Sequence, residues 1–148
     1  MRCHSPYLSL MCVAILALSH TGVAAQGFSG EWEIDLRTPQ EKNQRLECGT
    51  ASFKLSQRGE KISGEHSMAS VGCGRINEGG EGTVSGVARG NTAVLTVTSG
   101  RNGQVVRGTA KLEGRALHWR TLKELKPGEP EGDSGLILGS GVLKRVAK

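Results

Sequence analysis

The chain has 148 residues, 22 of them glycine, and a formal net charge of +5. That length fits one domain with a single core. Aromatic residues make up only 3% of the chain and do not interleave with its scattered basic residues, which argues against a nucleic-acid partner.

Residues 1–25 read as a secretory signal, with a basic start at Arg2, an apolar run over 8–18 and the small-residue end Val23-Ala24-Ala25 before Gln26. The apolar run is too short for a membrane-spanning helix, which needs about 20 residues. The expected product is a periplasmic or secreted chain, residues 26–148, forming one domain with no membrane span after cleavage. Cys3 and Cys12 leave with the signal, whereas Cys48 and Cys73 stay. In an oxidising compartment this even pair is expected to form a disulfide worth roughly 3 kcal/mol by the chain-entropy argument. Two free thiols are the alternative. No structural metal site is expected, because two isolated cysteines with only His66 and His118 beside them lack the paired spacings zinc requires.

In the first segment, residues 30–36, Trp32, Ile34 and Leu36 alternate with Glu31, Glu33 and Asp35, the period of a half-buried strand. Residues 37–49 form a long connection carrying Cys48. Ala51, Phe53 and Leu55 alternate with Ser52, Lys54 and Ser56 in the next strand, and Gln57-Arg58-Gly59-Glu60 turns the chain. Ile62, Gly64, His66 and Met68 then share one face. A second long connection, residues 69–80, carries Cys73. Residues 82–88 and 92–98 flank the turn Arg89-Gly90-Asn91, with Ala93, Leu95 and Val97 on one face. Residues 104–112 and 116–122 flank Glu113-Gly114-Arg115; Leu117 and Trp119 face one way and His118 the other. Residues 123–135 read as a solvated loop, and the last strand lies within 136–146.

A phrase repeats through this pattern. Ile62-Ser63-Gly64, Val84-Ser85-Gly86 and Val106-Arg107-Gly108 follow one another at intervals of 22 residues, the length of two short strands and their turns. Eight strands with no helical periodicity predict an all-β domain, an eight-stranded antiparallel up-and-down barrel, since closure removes the exposed edges of a meander. A two-sheet β-sandwich is the alternative. The mid-strand glycines fit points where coiled strands approach closely.

Catalytic templates fail. Gly132-Asp133-Ser134-Gly135 resembles the nucleophile motif of chymotrypsin-like proteases, but the only other aspartate is Asp35 and the chain is far too short for their double barrel. Turn chemistry accounts for the motif. Paired cysteine, zinc-protease, phosphate-loop and dinucleotide motifs are absent from the sequence. The expected protein is not an enzyme and uses no cofactor.

Gly30-Glu31-Trp32 resembles the Gly-x-Trp opening of the calycin barrels, the lipocalins and avidins. The resemblance implies that Gly30 and Trp32 are structural and that a basic side chain of the last strand, Lys144 or Arg145, packs on Trp32. Residues 62–72 are also similar in pattern to the avidin strand and loop that contribute to biotin binding. The mature chain has no tyrosine and only two tryptophans, so it cannot supply an avidin-type biotin site. The expected function is an exported binding protein holding a small, apolar or amphipathic ligand at a barrel mouth lined by Trp32, His66, Met68 and Trp119. The alternative is a loop-mediated inhibitor or interaction module for an envelope or secreted protein. A filled interior moves function to the loops.

Overall fold

The computed structural model describes residues 27–147. The secretory signal read over residues 1–25 lies outside them. The described chain forms β1 (Gly30–Asp35), a short helix α1 (Pro39–Asn43), β2 (Cys48–Arg58), β3 (Lys61–Val71), β4 (Ile76–Asn77), β5 (Val84–Arg89), β6 (Thr92–Thr98), β7 (Val105–Glu113), β8 (Ala116–Lys126) and β9 (Ser140–Arg145). Pairing runs β2-β1-β9-β8-β7-β6-β5-β3, and the β2–β3 ladder closes the ring, giving an eight-stranded antiparallel barrel with β4 as an added strand beside β3. That closure removes the sandwich alternative.

The alternation read from sequence becomes an inside and an outside. Trp32, Ala51, Phe53, Leu55, Ile62, Val84, Ala93, Leu95, Val97, Leu117 and Leu143 are buried inside, and they meet in one core. Their polar neighbours in the strands face out: Ser52 bonds Ser67 at 2.9 Å across β2 and β3, and Lys54 pairs Glu65 at 3.2 Å. Each such exposed ion pair contributes little; the buried apolar area carries the stability.

The repeated glycines fall within β3, β5 and β7. A Cβ at Gly64, Gly86 or Gly108 would collide with a backbone carbonyl of the adjacent strand, at Lys54, Val94 and Arg120 respectively. At Gly108 the Trp119 indole also occupies that space. The 22-residue phrase thus marks close strand approach on β3, β5 and β7, of which β3 and β5 are direct neighbours in the ring.

The two barrel ends differ. One carries the tight turns at Gly59, Gly90 and Gly114, whose φ angles of 59°, 61° and 58° suit glycine. The other carries four longer connections, over residues 36–47, 72–83, 99–104 and 127–139. Cys48 and Cys73 both lie there, their sulfurs 2.05 Å apart and their Cα atoms 5.3 Å apart.

The last connection departs from expectation. Residues 123–126 extend β8, and residues 135–138 are buried or half-buried, with Leu136 and Leu138 8% and 3% exposed. A solvated loop describes only the exposed stretch around Glu129–Pro130. The apolar run that begins at Leu136 folds across the barrel end as an irregular strap, and β9 starts only at Ser140.

Candidate functional site

Trp32 stands toward the turn end, where the chain enters the barrel. Its indole N–H donates to the Phe28 carbonyl at 2.9 Å, and the Arg145 guanidinium lies 4.1 Å from its ring centre. Arg145 also donates to the Gly27 carbonyl at 3.0 Å and to the Ser29 carbonyl. A side chain at Gly30 would displace Arg145, so Gly30, Trp32 and Arg145 form one closure. Lys144 instead pairs in register with Glu33 and Ala116, on the outer face.

Phe53 links this closure to the other end. It is opposite Trp32 in the β1–β2 ladder, stacks on the His66 ring at 4.5 Å and meets the Trp119 ring at 5.0 Å. Its burial was legible, but its bridging role was not, because cross-barrel contacts leave no local signal.

His66 and Trp119 converge on a single residue of the strap. The Trp119 indole N–H donates to the Leu138 carbonyl at 2.6 Å, and the Leu138 amide donates to His66 Nε2 at 3.2 Å. His66 Nδ1 stands 2.7 Å from the Ser52 carbonyl. These partners require the neutral tautomer with its proton on Nδ1. Burial pushes the imidazole down to about 4, against the opposing pull of the Ser52 hydrogen bond. Met68 is half-buried, packed against the core and in register with Ala51 and Asn77. Of the four ligand residues expected from sequence, His66 and Trp119 are therefore brought together, Met68 lies in the same β3 strand as His66, and Trp32 faces the turn end.

Two further polar groups hold the strap. The buried Asn77 donates to the Leu136 carbonyl at 3.1 Å while its oxygen accepts the Gly79 and Gly100 amides, each at 3.1 Å. The buried Ser99 hydroxyl donates to the Gly135 carbonyl at 2.7 Å. Asn77 falls within the second long connection read from sequence, and no local pattern marks either residue for this role. Asp133 accepts from Arg101 at 2.9 Å, and Asn102 donates to the Asp133 carbonyl at 3.0 Å. The Ser134 hydroxyl accepts the Leu136 amide at 3.2 Å. The protease-like motif is thus engaged in shaping the strap.

The neighbouring loops are similarly fixed. The Arg37 guanidinium grips both Asp35 oxygens, at 3.0 and 2.9 Å, and donates to the Leu46 carbonyl at 2.9 Å. That contact holds the Asp35 carboxyl well below the usual carboxylate range. Thr38 and Glu41 complete a capping box around α1. Among the described residues, the four non-glycine residues with left-handed backbone, Arg45, Cys48, Cys73 and Leu136, belong to this end of the barrel. Among the described residues no three histidine, cysteine or acidic side chains are grouped to hold a metal ion, and no helix is long and apolar enough to cross a membrane.

Comparison with protein families, curated proteins and solved structures found no match.

Proposed function

We propose that this is an exported, non-enzymatic binding protein of calycin-like build that acts through the loop-bearing end of its barrel, as an inhibitor or interaction module for an envelope or secreted protein. The observation that carries this reading is the strap: Leu138 joins the barrel core with Ile137 packed against it, Leu136 is buried beside them, and Phe53, His66 and Trp119 pack together below. A contact surface is then left to the connections. The Cys48–Cys73 pair and the Arg37–Asp35 and Arg101–Asp133 contacts hold those connections in place, which lowers the ordering cost of binding. The Gly30, Trp32 and Arg145 closure supports the calycin-like assignment. The secretory signal and the cysteine pair support export.

The direct test is inhibition of secreted proteases and lysozymes by the mature chain. Inhibition lost on substituting exposed residues of 36–47 or 72–83 supports the reading. Wild-type protein that inhibits none of them and retains no envelope protein removes it. The basic charge disfavours lysozymes, which are also basic, and favours an acidic partner surface.

A second reading keeps a small apolar or amphipathic ligand at His66, Met68 and Trp119, above Trp32. It is favoured by one feature, the two ring nitrogens of His66 and Trp119 aimed at the same residue of a non-strand segment. Native mass spectrometry of protein purified from its own host separates the two readings: an added mass supports the ligand, and a clean apo mass supports the loops.

A further inference from the structure

The groups that hold the strap bind its main chain. His66 Nε2 accepts the Leu138 amide, while Trp119 Nε1 and the Thr121 hydroxyl donate to the Leu138 carbonyl, at 2.6 and 2.9 Å. Asn77 and Ser99 donate to the carbonyls of Leu136 and Gly135, and the Gln104 side-chain oxygen accepts the Gly135 amide at 3.2 Å. Beyond the backbone, the strap contributes two buried apolar side chains, Leu136 and Leu138, two positions apart. Any chain segment with that backbone path and apolar spacing satisfies the same donors and acceptors. Peptide recognition of this kind draws affinity from main-chain hydrogen bonds and specificity from alternate side chains.

The strap is also suited to leave. Residues 134–138 join β8 to β9 outside their ladder, which pairs Ala116–Arg120 with Ser140–Lys144 and ends on Gly139, whose carbonyl accepts the Thr121 amide at 2.7 Å. Leu136 has a φ of 50°, a left-handed conformation that costs a bulky residue of order 1 kcal/mol or more. The preceding stretch around Glu129–Pro130 is exposed, and Gly132 (φ 85°) gives the chain a pivot there.

We infer that the loop-bearing end is a peptide-binding cleft occupied by the chain's own residues 134–138, and that its partner supplies a segment of the same backbone path, with two apolar side chains two positions apart, that takes the strap's place. This rests on the loop-end reading above and names the partner's chemistry.

The test uses the full mature chain and, as probe, a synthetic peptide with the sequence of residues 133–140, beside a control peptide whose two leucines are serines. In the Leu136→Ser, Leu138→Ser variant the strap is weakened while the cleft residues are intact, so the peptide binds at least about tenfold more tightly than to wild type. The control peptide binds neither protein. A folded variant with no gain in affinity overturns the cleft. Should the variant fail to fold, wild type decides. The tethered strap acts at an effective concentration on the order of millimolar, so millimolar peptide shifts the Trp119 indole and Leu138 amide resonances; unchanged resonances overturn the proposal. Inhibition of a secreted enzyme that persists without peptide binding removes the cleft alone, whereas loss of both removes the loop-end reading with it.

Discussion

At His66, burial and hydrogen bonding pull the imidazole in opposite directions, and burial wins. The folded chain then holds this side chain neutral down to about pH 4, whereas the unfolded chain protonates it near 6.5. Between those values the unfolded state binds more protons, so stability is complete above about pH 6.5 and falls as the pH drops toward 4. The full loss is roughly 3 kcal/mol for a shift of this size. Protonation also turns the Nε2 acceptor into a donor facing the Leu138 amide. Urea unfolding at pH 7 and pH 4.5 measures the effect, with His66→Phe as the comparison, since it removes the titration. Equal pH dependence in both proteins contradicts the assignment. Gly108 supplies a second test at this scale. Gly108→Ala must push against the Trp119 indole and the Arg120 carbonyl, and overpacking of this kind costs about 1–3 kcal/mol. Gly74→Ala, which meets nothing nearer than the Ser70 hydroxyl at 4.0 Å, serves as the near-neutral control in the same melts.

Among the elements, the strands were legible and the strap was not. Period-two alternation at Trp32 and Ile34, or at Ala93, Leu95 and Val97, is imposed by the pleat itself, so each strand carries its own signal. Leu136-Ile137-Leu138 is a continuous apolar run that reads as the start of the last strand without being one, because its backbone bonds go to the side chains of His66, Asn77, Trp119 and Thr121. A local pattern cannot separate those two fates. Helix α1 escaped notice for a related reason: its capping box is visible in Thr38 and Glu41, but its five residues bury nothing and so show no apolar stripe. The cysteine pair was legible from compartment and parity. Joining residues 25 apart, it limits the unfolded chain, and Cys48→Ser, Cys73→Ser is expected to cost roughly 2–4 kcal/mol, a fall of several degrees in Tm. Coincident melting curves, or two titratable thiols in the unreduced protein, contradict the bridge.

For the whole molecule, the division of labour between the two ends matters most. The turn end is closed by Trp32 beneath Arg145, whose two terminal guanidinium nitrogens donate to the backbone carbonyls of Ser29 and Gly27. The loop end is closed by part of the chain itself. Of the expected ligand site, sequence placed His66 and Trp119 on inward faces correctly, since parity along a strand decides that. It could not show that a segment more than 70 residues from His66 would reach the ring, a contact with a separation of 72 in the chain. Residues 134–138 lie across the mouth, and the proposed function turns on whether they leave it. Amide hydrogen exchange in residues 26–148 tests this most directly. The account predicts that the Leu138 amide, bonded to His66 Nε2, exchanges far more slowly than those of the exposed Glu131 and Gly132 beside it. Exchange of Leu138 at the rate of those exposed neighbours would show the mouth open and contradict it.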